Sequence, residues 1–456
     1  MSRFKRYERY KDSGVEWIGE IPEEWDVLKL KWIFKLVYRY PTYYGIQYSD
    51  NGVIEVRGEM LKGNGLIDVE SCEPRFISEE ISNNYPMTKL KKDDIVMSVR
   101  GTMGKIGLVT DNIENANITA NLLRLSPNKN KVYSKWLVWL MESSRFNEEL
   151  DNYSDQTTIK TIRVPNLLSI NIPLPKYDEQ NAIANFLYQK TAEIDGLIAD
   201  KEKLIELLQE KRQAIITEAV TKGLNPNVRM KDSGIEWIGE IPEHWSITKM
   251  KYLLSPKKYS IKAGPFGSQL KNDDMVSGDV KVYNQKTVLD NDFKSGDYYI
   301  ENYKYEELRA FEVFSGDLLV TTRGTIGKTA IVPKDAEKGI LHPCLIKITL
   351  NPDKVLNEYI NVVFNNTKIV TNQIMLESNA TTIDVIYTDT LKNLVLPIPP
   401  LEEQKSIIDF VDAKIGEIDG LISSINNQIQ KLKEYRQSLI FEAVTGKIDV
   451  RDYVVD

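Results

Sequence analysis

The hexapeptide Arg100-Gly-Thr-Met-Gly-Lys105 sets cations and a hydroxyl around paired glycines, and Arg323-Gly-Thr-Ile-Gly-Lys328 does the same further along. Residues of these types at this spacing suit an anion. Gly101 and Gly324 let backbone N–H groups approach a phosphate, Thr102 and Thr325 add hydroxyls, and Arg100, Lys105, Arg323 and Lys328 add charge. A structural hairpin whose glycines supply positive φ uses the same residues, and both readings stand.

Catalysis finds little support. A P-loop needs glycine five positions before Gly327-Lys328, and that position is Thr322. No Asn/Asp-Pro-Pro-aromatic tetrapeptide of an adenine methyltransferase occurs. Pro352-Asp353 with Glu403-Gln-Lys405 looks nuclease-like, but the second element lies at an expected helix start. Its repeat mate, Glu179-Gln-Asn181, lacks the lysine. The only histidines are His244 and His342, and the only cysteines Cys72 and Cys344. That excludes a disulfide framework, a usual zinc finger and a multi-His metal centre, and fits a reducing cytoplasm. Binding is the better reading, with no catalytic, metal or cofactor site in this chain.

The binding elements belong to an internal duplication. Lys11-Asp-Ser-Gly-Val-Glu-Trp-Ile-Gly-Glu-Ile-Pro-Glu-Glu-Trp25 returns as residues 231–245 with thirteen of fifteen positions identical. Pro173-Leu-Pro175 returns as Pro397-Ile-Pro399, Glu193-Ile-Asp-Gly-Leu-Ile198 as residues 417–422, and Glu218-Ala-Val-Thr221 as residues 442–445. Two long repeats predict two similar domains related by a pseudo-two-fold axis, not a solenoid. Between the shared blocks the copies diverge. One carries Tyr38-Arg-Tyr-Pro-Thr-Tyr-Tyr44, the other Gly264-Pro-Phe-Gly-Ser-Gln-Leu-Lys271. A common frame with unlike loops suits a protein reading two targets; drift in surface loops is the plainer alternative. Tyr43, Tyr44 and Arg57 in the first copy, and Ser268, Gln269 and Lys271 in the second, are candidates for base or phosphate contacts. Thr157 and Thr381, in matching Thr-Thr-Ile segments, could reach phosphate, although capping or a strand edge explains them as well.

Something must hold the copies, and each ends in a helical pattern. Leu187, Ile194, Lys201, Leu208 and Ile215 fall seven apart, interleaved with Thr191, Ile198, Ile205, Arg212 and Ala219. Val411, Ile418, Ile425, Leu432 and Leu439 interleave with Ile415, Ile422, Ile429, Arg436 and Ala443. Alternating steps of four and three are a coiled-coil seam. Helices over 179–221 and 403–445 would each be rods of roughly 60–65 Å at ~1.5 Å per residue. The pseudo-symmetry pairs them antiparallel, with packing on their own domain or on another protein as the alternative. Lys201, Arg212 and Arg436 interrupt the seam; the matching arginines could fix register or meet acid on a partner, and snorkelling stems with their heads in water are the plainer reading. Each module also alternates strands, such as Ile95–Val99 and Leu318–Thr322, with amphipathic helices over 134–150 and 357–376. The fold class is therefore α+β, a mixed sheet plus helices in each module.

Net charge is −7 over 456 residues. That argues against phosphate binding on average, but residues 178–224 carry nine acids against six bases while 251–345 carry fourteen bases against thirteen acids. Acid thus concentrates on the helices, and basic patches remain available elsewhere. No apolar run is long enough to span a bilayer and no secretory leader opens the chain, so a cytoplasmic protein is expected.

Lys11–Pro22 with its repeat, Pro173-Leu-Pro-Lys-Tyr-Asp-Glu-Gln180 leading into Ile194–Ile198, and Glu442-Ala-Val-Thr-Gly-Lys-Ile-Asp-Val450 resemble the specificity subunit of type I restriction-modification enzymes. The resemblance covers essentially the whole chain. It implies two target-recognition domains, each reading half of a split, asymmetric site in double-stranded DNA. It implies two spacer helices acting as a ruler and as the docking surface for two methyltransferase subunits, with restriction subunits joining that core. S-adenosylmethionine, ATP and Mg would then belong to those partners. The expected order is a repeat segment 1–25, recognition domain 26–176, spacer helix 177–224, linker with the second repeat segment 225–250, recognition domain 251–399, spacer helix 400–446 and tail 447–456. The first copy lacks the Gly-Pro-Phe-Gly-Ser element of the second, which many family domains carry. A nucleotide hydrolase built on the Gly-Lys turn, and a coiled-coil adaptor that touches only protein, are the alternatives from other classes.

Overall fold

The computed structural model describes residues 4–39, 47–154, 160–378 and 385–453. The chain forms two compact units, residues 1–202 with 426–456, and residues 203–425. Both long helices, Tyr177–Lys222 and Leu401–Val444, contribute a stretch to each unit.

In the first unit a four-stranded antiparallel sheet runs in the order Ile106–Leu108, Ile95–Ser98, Leu122–Pro127, Phe34–Arg39. A smaller mixed sheet sets Val53–Val56 between Asn117–Ile118, parallel, and Phe76–Ile77, antiparallel. The second unit repeats this plan. Its four strands are ordered Thr329–Ile331, Leu318–Thr321, Leu345–Ile348, Ile261–Ala263. Its second sheet sets Val280–Tyr283 between Gly339–Leu341, parallel, and Tyr299–Ile300, antiparallel, and adds Glu312–Val313 at the far edge. The central strands are apolar because both faces are covered: Ile95, Val96 and Met97, like Leu318, Leu319 and Val320, are fully buried.

The helices expected over 134–150 and 357–376 are each broken in two. Ser134–Glu142 is followed by Ser144–Asn152, and Asn357–Asn366 by Ile369–Ser378. A hydroxyl residue makes each break. Ser143 is extended at φ −61°, ψ 141°, and its Oγ accepts the Phe146 N–H. Thr367 is extended at φ −130°, ψ 167°; its Oγ1 donates to the Val363 carbonyl and accepts the Ile369 N–H. Such side chains offer the backbone an alternative to the helical bond and so restart the helix.

The repeated signature residues lock each module onto its long helix. Trp25 and Trp245 are each 1% exposed. Trp25 Nε1 donates to Glu179 Oε2 at 3.0 Å, and Trp245 Nε1 to Glu403 Oε2 at 2.9 Å. Gln180 and Gln404, the next residues, each donate to two carbonyls and accept one N–H. Glu403, which looks nuclease-like in sequence, is thus an indole acceptor at a helix start, as is its mate Glu179. The last turns are fitted too: a Cβ on Gly446 would lie 2.4 Å from Pro22 Cδ, and one on Gly223 would lie 3.1 Å from the Trp245 ring.

Along both long helices the heptad positions are the covered ones. Leu187, Ile194, Ile198, Val411, Ile418, Ile425, Ile429 and Leu439 are buried, while Ile205, Leu208, Ile215, Ile422 and Leu432 are half-buried. In the first unit Arg436 Nε donates to Asp195 Oδ1 at 2.9 Å and Lys201 Nζ to Gln428 Oε1 at 2.6 Å. Numbers rise on one helix as they fall on the other, so the two run antiparallel. In the second unit Arg212 Nη1 reaches Asp419 Oδ1 at 2.7 Å. The snorkelling expectation for these arginines is therefore corrected. Each meets the aspartate of the repeated Glu-Ile-Asp-Gly segment on the facing helix, because a guanidinium beside an apolar seam needs a carboxylate within reach. Arg436 is 12% exposed and Arg212 36%. Arg436→Ala is accordingly expected to cost about 1–3 kcal/mol and Arg212→Ala about 1 kcal/mol or less. Urea unfolding of the two variants checks this, and equal losses would contradict it.

Candidate nucleic-acid interface

The Arg-Gly-Thr turns close the hairpins 95–98/106–108 and 318–321/329–331. One hydroxyl latches each turn. Ser98 Oγ donates to the Thr102 carbonyl at 2.5 Å and accepts the Lys105 N–H at 3.0 Å. Thr321 Oγ1 makes the same bonds to Thr325 at 2.6 Å and Lys328 at 3.0 Å. Gly101 and Gly104 sit at φ 80° and 88°, Gly324 and Gly327 at 65° and 73°. These values are the left-handed region that favours glycine. The hairpin reading of the motif is therefore true of its backbone. The same geometry turns Arg100, Thr102 and Lys105 to solvent.

In the first unit these residues line a concavity together with Arg57, Arg75, Tyr48 and Asn121. Three strand connections converge on it: the hairpin turn, the end of Val53–Val56, and Thr119–Leu122. Arg57 is held by Glu59 at 2.5 Å, by Cys72 Sγ at 3.2 Å and by the Glu73 carbonyl. Arg75 lies over the Tyr48 ring at 5.3 Å. Among the described residues Arg75, Arg100 and Lys105 form no ion pair. Exposed cations in a concavity, with one acid already paired, give it a positive field that attracts anions and acceptor-rich groups.

The matching turn of the second unit differs in one cation. Arg323, Gly324 and Thr325 are exposed, but Lys328 is half-buried and its Nζ donates to the Asn365 carbonyl at 3.1 Å. Two lysines equivalent in sequence thus have different surroundings. Ser268, Gln269 and Lys271 are exposed, and Gln269 Oε1 accepts the Phe266 N–H at 3.0 Å. This places them in one loop beside Phe266, which is 80% exposed. Gly264 is where that loop passes close to its own sheet: a Cβ there would lie 2.1 Å from the His342 carbonyl oxygen. Tyr43, Tyr44, Thr157 and Thr381 fall outside the described residues. Among those described, no three His, Cys, Asp or Glu side chains gather as metal ligands, and no helix is long and apolar enough to cross a membrane.

Sequence reasoning missed Arg75 and Tyr48. Nothing local marks them; they enter only because Phe76–Ile77 pairs with Val53–Val56. It also missed His342, Cys344 and Tyr298 as neighbours. His342 Nδ1 lies 2.9 Å from Cys344 Sγ and accepts the Cys344 N–H at 3.2 Å, and Tyr298 stacks on the imidazole at 6.4 Å. Burial holds the His342 imidazole below its usual pKa and pushes the Cys344 thiol up.

The chain thus holds two copies of one α+β frame, each locked to a long helix, with a basic concavity in the first copy. The family model of the type I restriction-modification DNA specificity domain matches residues 22–207 and 265–431, and the chain belongs to that family. It is 25% identical to the putative MjaX specificity subunit of Methanocaldococcus jannaschii, over 98% of this chain and 99% of that one. It is 23% identical to the EcoKI specificity subunit of Escherichia coli, over 94% and 90%. Among solved structures, the HsdS subunit of Thermoanaerobacter tengcongensis superposes with a TM-score of 0.53 at 15% identity, over 94% of this chain and 98% of that one. A chain from a study of assembly and conformational transition of a type I system superposes at 0.66 with 13% identity, over 93% and 98%. As a specificity subunit, the chain is the recognition member of its complex and not the catalytic one.

Proposed function

We propose that this chain reads a bipartite, asymmetric site in double-stranded DNA, one half through each unit, and directs two methyltransferase subunits and the restriction subunits to it. The observation that carries this reading is the repetition of one sheet frame bearing unlike side chains, with a cationic concavity beside the turn of the first unit. Arg100, Thr102 and Lys105, with Arg323 and Thr325, are the backbone-anchoring groups; a guanidinium or ammonium at a phosphate fixes position without reading sequence. Tyr43, Tyr44, Arg57, Ser268, Gln269 and Lys271, from the stretches where the two copies diverge in sequence, read bases. The long helices set the spacing between half-sites, and their exposed charged faces receive the methyltransferase subunits. S-adenosylmethionine, ATP and Mg act on those partners, in the cytoplasm. The domain limits that fit this division are 26–176 and 251–399 for the recognition domains, with 177–224 and 400–446 as spacers.

Footprinting tests it. The chain assembled with its methyltransferase subunits is expected to protect two short stretches of a modified site and leave a gap between them. One unbroken footprint, or none, would contradict the reading.

A further inference from the structure

The two units can be aligned through their backbone hydrogen bonds alone. The Thr119 N–H donates to the Val56 carbonyl, and the His342 N–H to the Tyr283 carbonyl. Glu55 N–H donates to Arg75, and Val282 N–H to Tyr298. Val99 N–H donates to Asn121, and Thr322 N–H to Cys344. These bonds make Thr119 equivalent to His342, Arg75 to Tyr298, and Arg57, which follows Val56, to Asn284, which follows Tyr283. Sequence comparison does not reveal the correspondence, because these residues share no type.

At all three positions the chemistry changes while the frame is kept. The first unit has guanidiniums at Arg57, held by Glu59, Cys72 and the Glu73 carbonyl, and at Arg75, which is exposed; the second has an amide, whose Oδ1 caps the following helix, and a phenol. Arg100 and Arg323, by contrast, are the same residue at the same place in both turns. A position held constant suits the constant part of DNA, its phosphate backbone. A position that changes type on a fixed frame suits the variable part, the base edges. In the second unit the His342 ring turns Nδ1 toward Cys344, whose N–H lies 3.2 Å and Sγ 2.9 Å away, and Tyr298 stacks on it.

We propose that Arg57, Arg75 and Thr119 in the first unit, and Asn284, Tyr298 and His342 in the second, are specificity-determining positions beside those in the divergent stretches, each trio reading part of one half-site. The exposed guanidinium fork of Arg75 matches the O6/N7 edge of guanine, so the half-site read by the first unit contains guanine. The second half-site is read by neutral groups, the His342 imidazole among them. This assignment rests on the bipartite reading above.

The test is the modification motif of the assembled methyltransferase complex, mapped by sequencing modified DNA, for the unaltered chain and for Arg75→Lys, Arg75→Tyr and His342→Thr. The Arg75 variants are expected to lower preference for guanine at one position of one half-site by roughly 5–100-fold, the range of a bidentate base contact. The other half and the spacing stay unchanged, and His342→Thr does the converse. Arg75→Lys separates roles without disturbing the fold, since a phosphate contact survives it and a bidentate base contact does not. A motif unchanged in every variant, or changed in both halves at once, overturns the assignment. An unaltered complex that marks no split site overturns the bipartite reading itself.

Discussion

Replacing Arg100 and Lys105 together by alanine is expected to weaken DNA binding by the assembled complex by roughly one to two orders of magnitude at ~0.1 M salt, and to lower the slope of log K against log salt by about 2. Both cations are exposed at a turn whose backbone is latched by Ser98, so their removal leaves the hairpin bonds standing. Neither is engaged by a carboxylate among the described residues. Their charge is therefore available to displace counterions from DNA. Lys328→Ala is expected to change the slope by much less, because its ammonium is already bound to the Asn365 carbonyl at 3.1 Å. Its loss acts on the packing of the turn and not on the ionic contact. Fluorescence anisotropy titrations at several salt concentrations separate the two. An unchanged slope in the double variant would remove the first turn from the interface, and equal slopes for Lys105→Ala and Lys328→Ala would contradict the distinction drawn between them.

Trp25→Ala and Trp245→Ala are expected to cost about 3–5 kcal/mol each. Each deletes one of the largest fully buried side chains and removes the indole donor that Glu179 or Glu403 accepts. Burial already raises the pKa of the Glu179 carboxyl, and the indole bond is among the contacts that offset this. Trp25→Phe keeps much of the apolar contact but not the N–H, so it is expected to fall between Trp25→Ala and the unaltered chain. Trp237, in the same repeated segment, is 40% exposed, and Trp237→Ala is expected to cost about 0.5 kcal/mol or less. Denaturant unfolding monitored by circular dichroism measures all four. A Trp237 variant as unstable as the Trp245 variant would show that the signature segment is not fixed to its helix in the way described.

What was legible in the sequence was whatever repeats with a short period or a long one. The heptad stripe is local, so Leu187, Ile194, Val411 and Ile418 announce a covered face, and the helix bounds of 179–221 and 403–445 lie close to Tyr177–Lys222 and Leu401–Val444. The duplication is global and needs only comparison of the chain with itself. The breaks at Ser143 and Thr367 were less legible, since a helical apolar pattern continues across each of them. The caps were nevertheless there to be noticed in the hydroxyl residues themselves. The arginine–aspartate pairs were half legible: Arg212 and Arg436 stand out in the seam, but their partners lie on a distant segment. The recognition pocket was the least legible part. Arg57 and Arg75 come together through pairing of Val53–Val56 with Phe76–Ile77. Pairing register is set by burial and turn geometry over the whole module, not by the letters around each arginine.

Mapping adenine methylation across the host genome with and without this gene tests bipartite recognition directly. Loss of the gene is expected to abolish methylation at one motif made of two defined parts, of unlike sequence, separated by a fixed number of unspecified base pairs. A motif that is continuous or made of two identical parts, or methylation that persists without the gene, would contradict it.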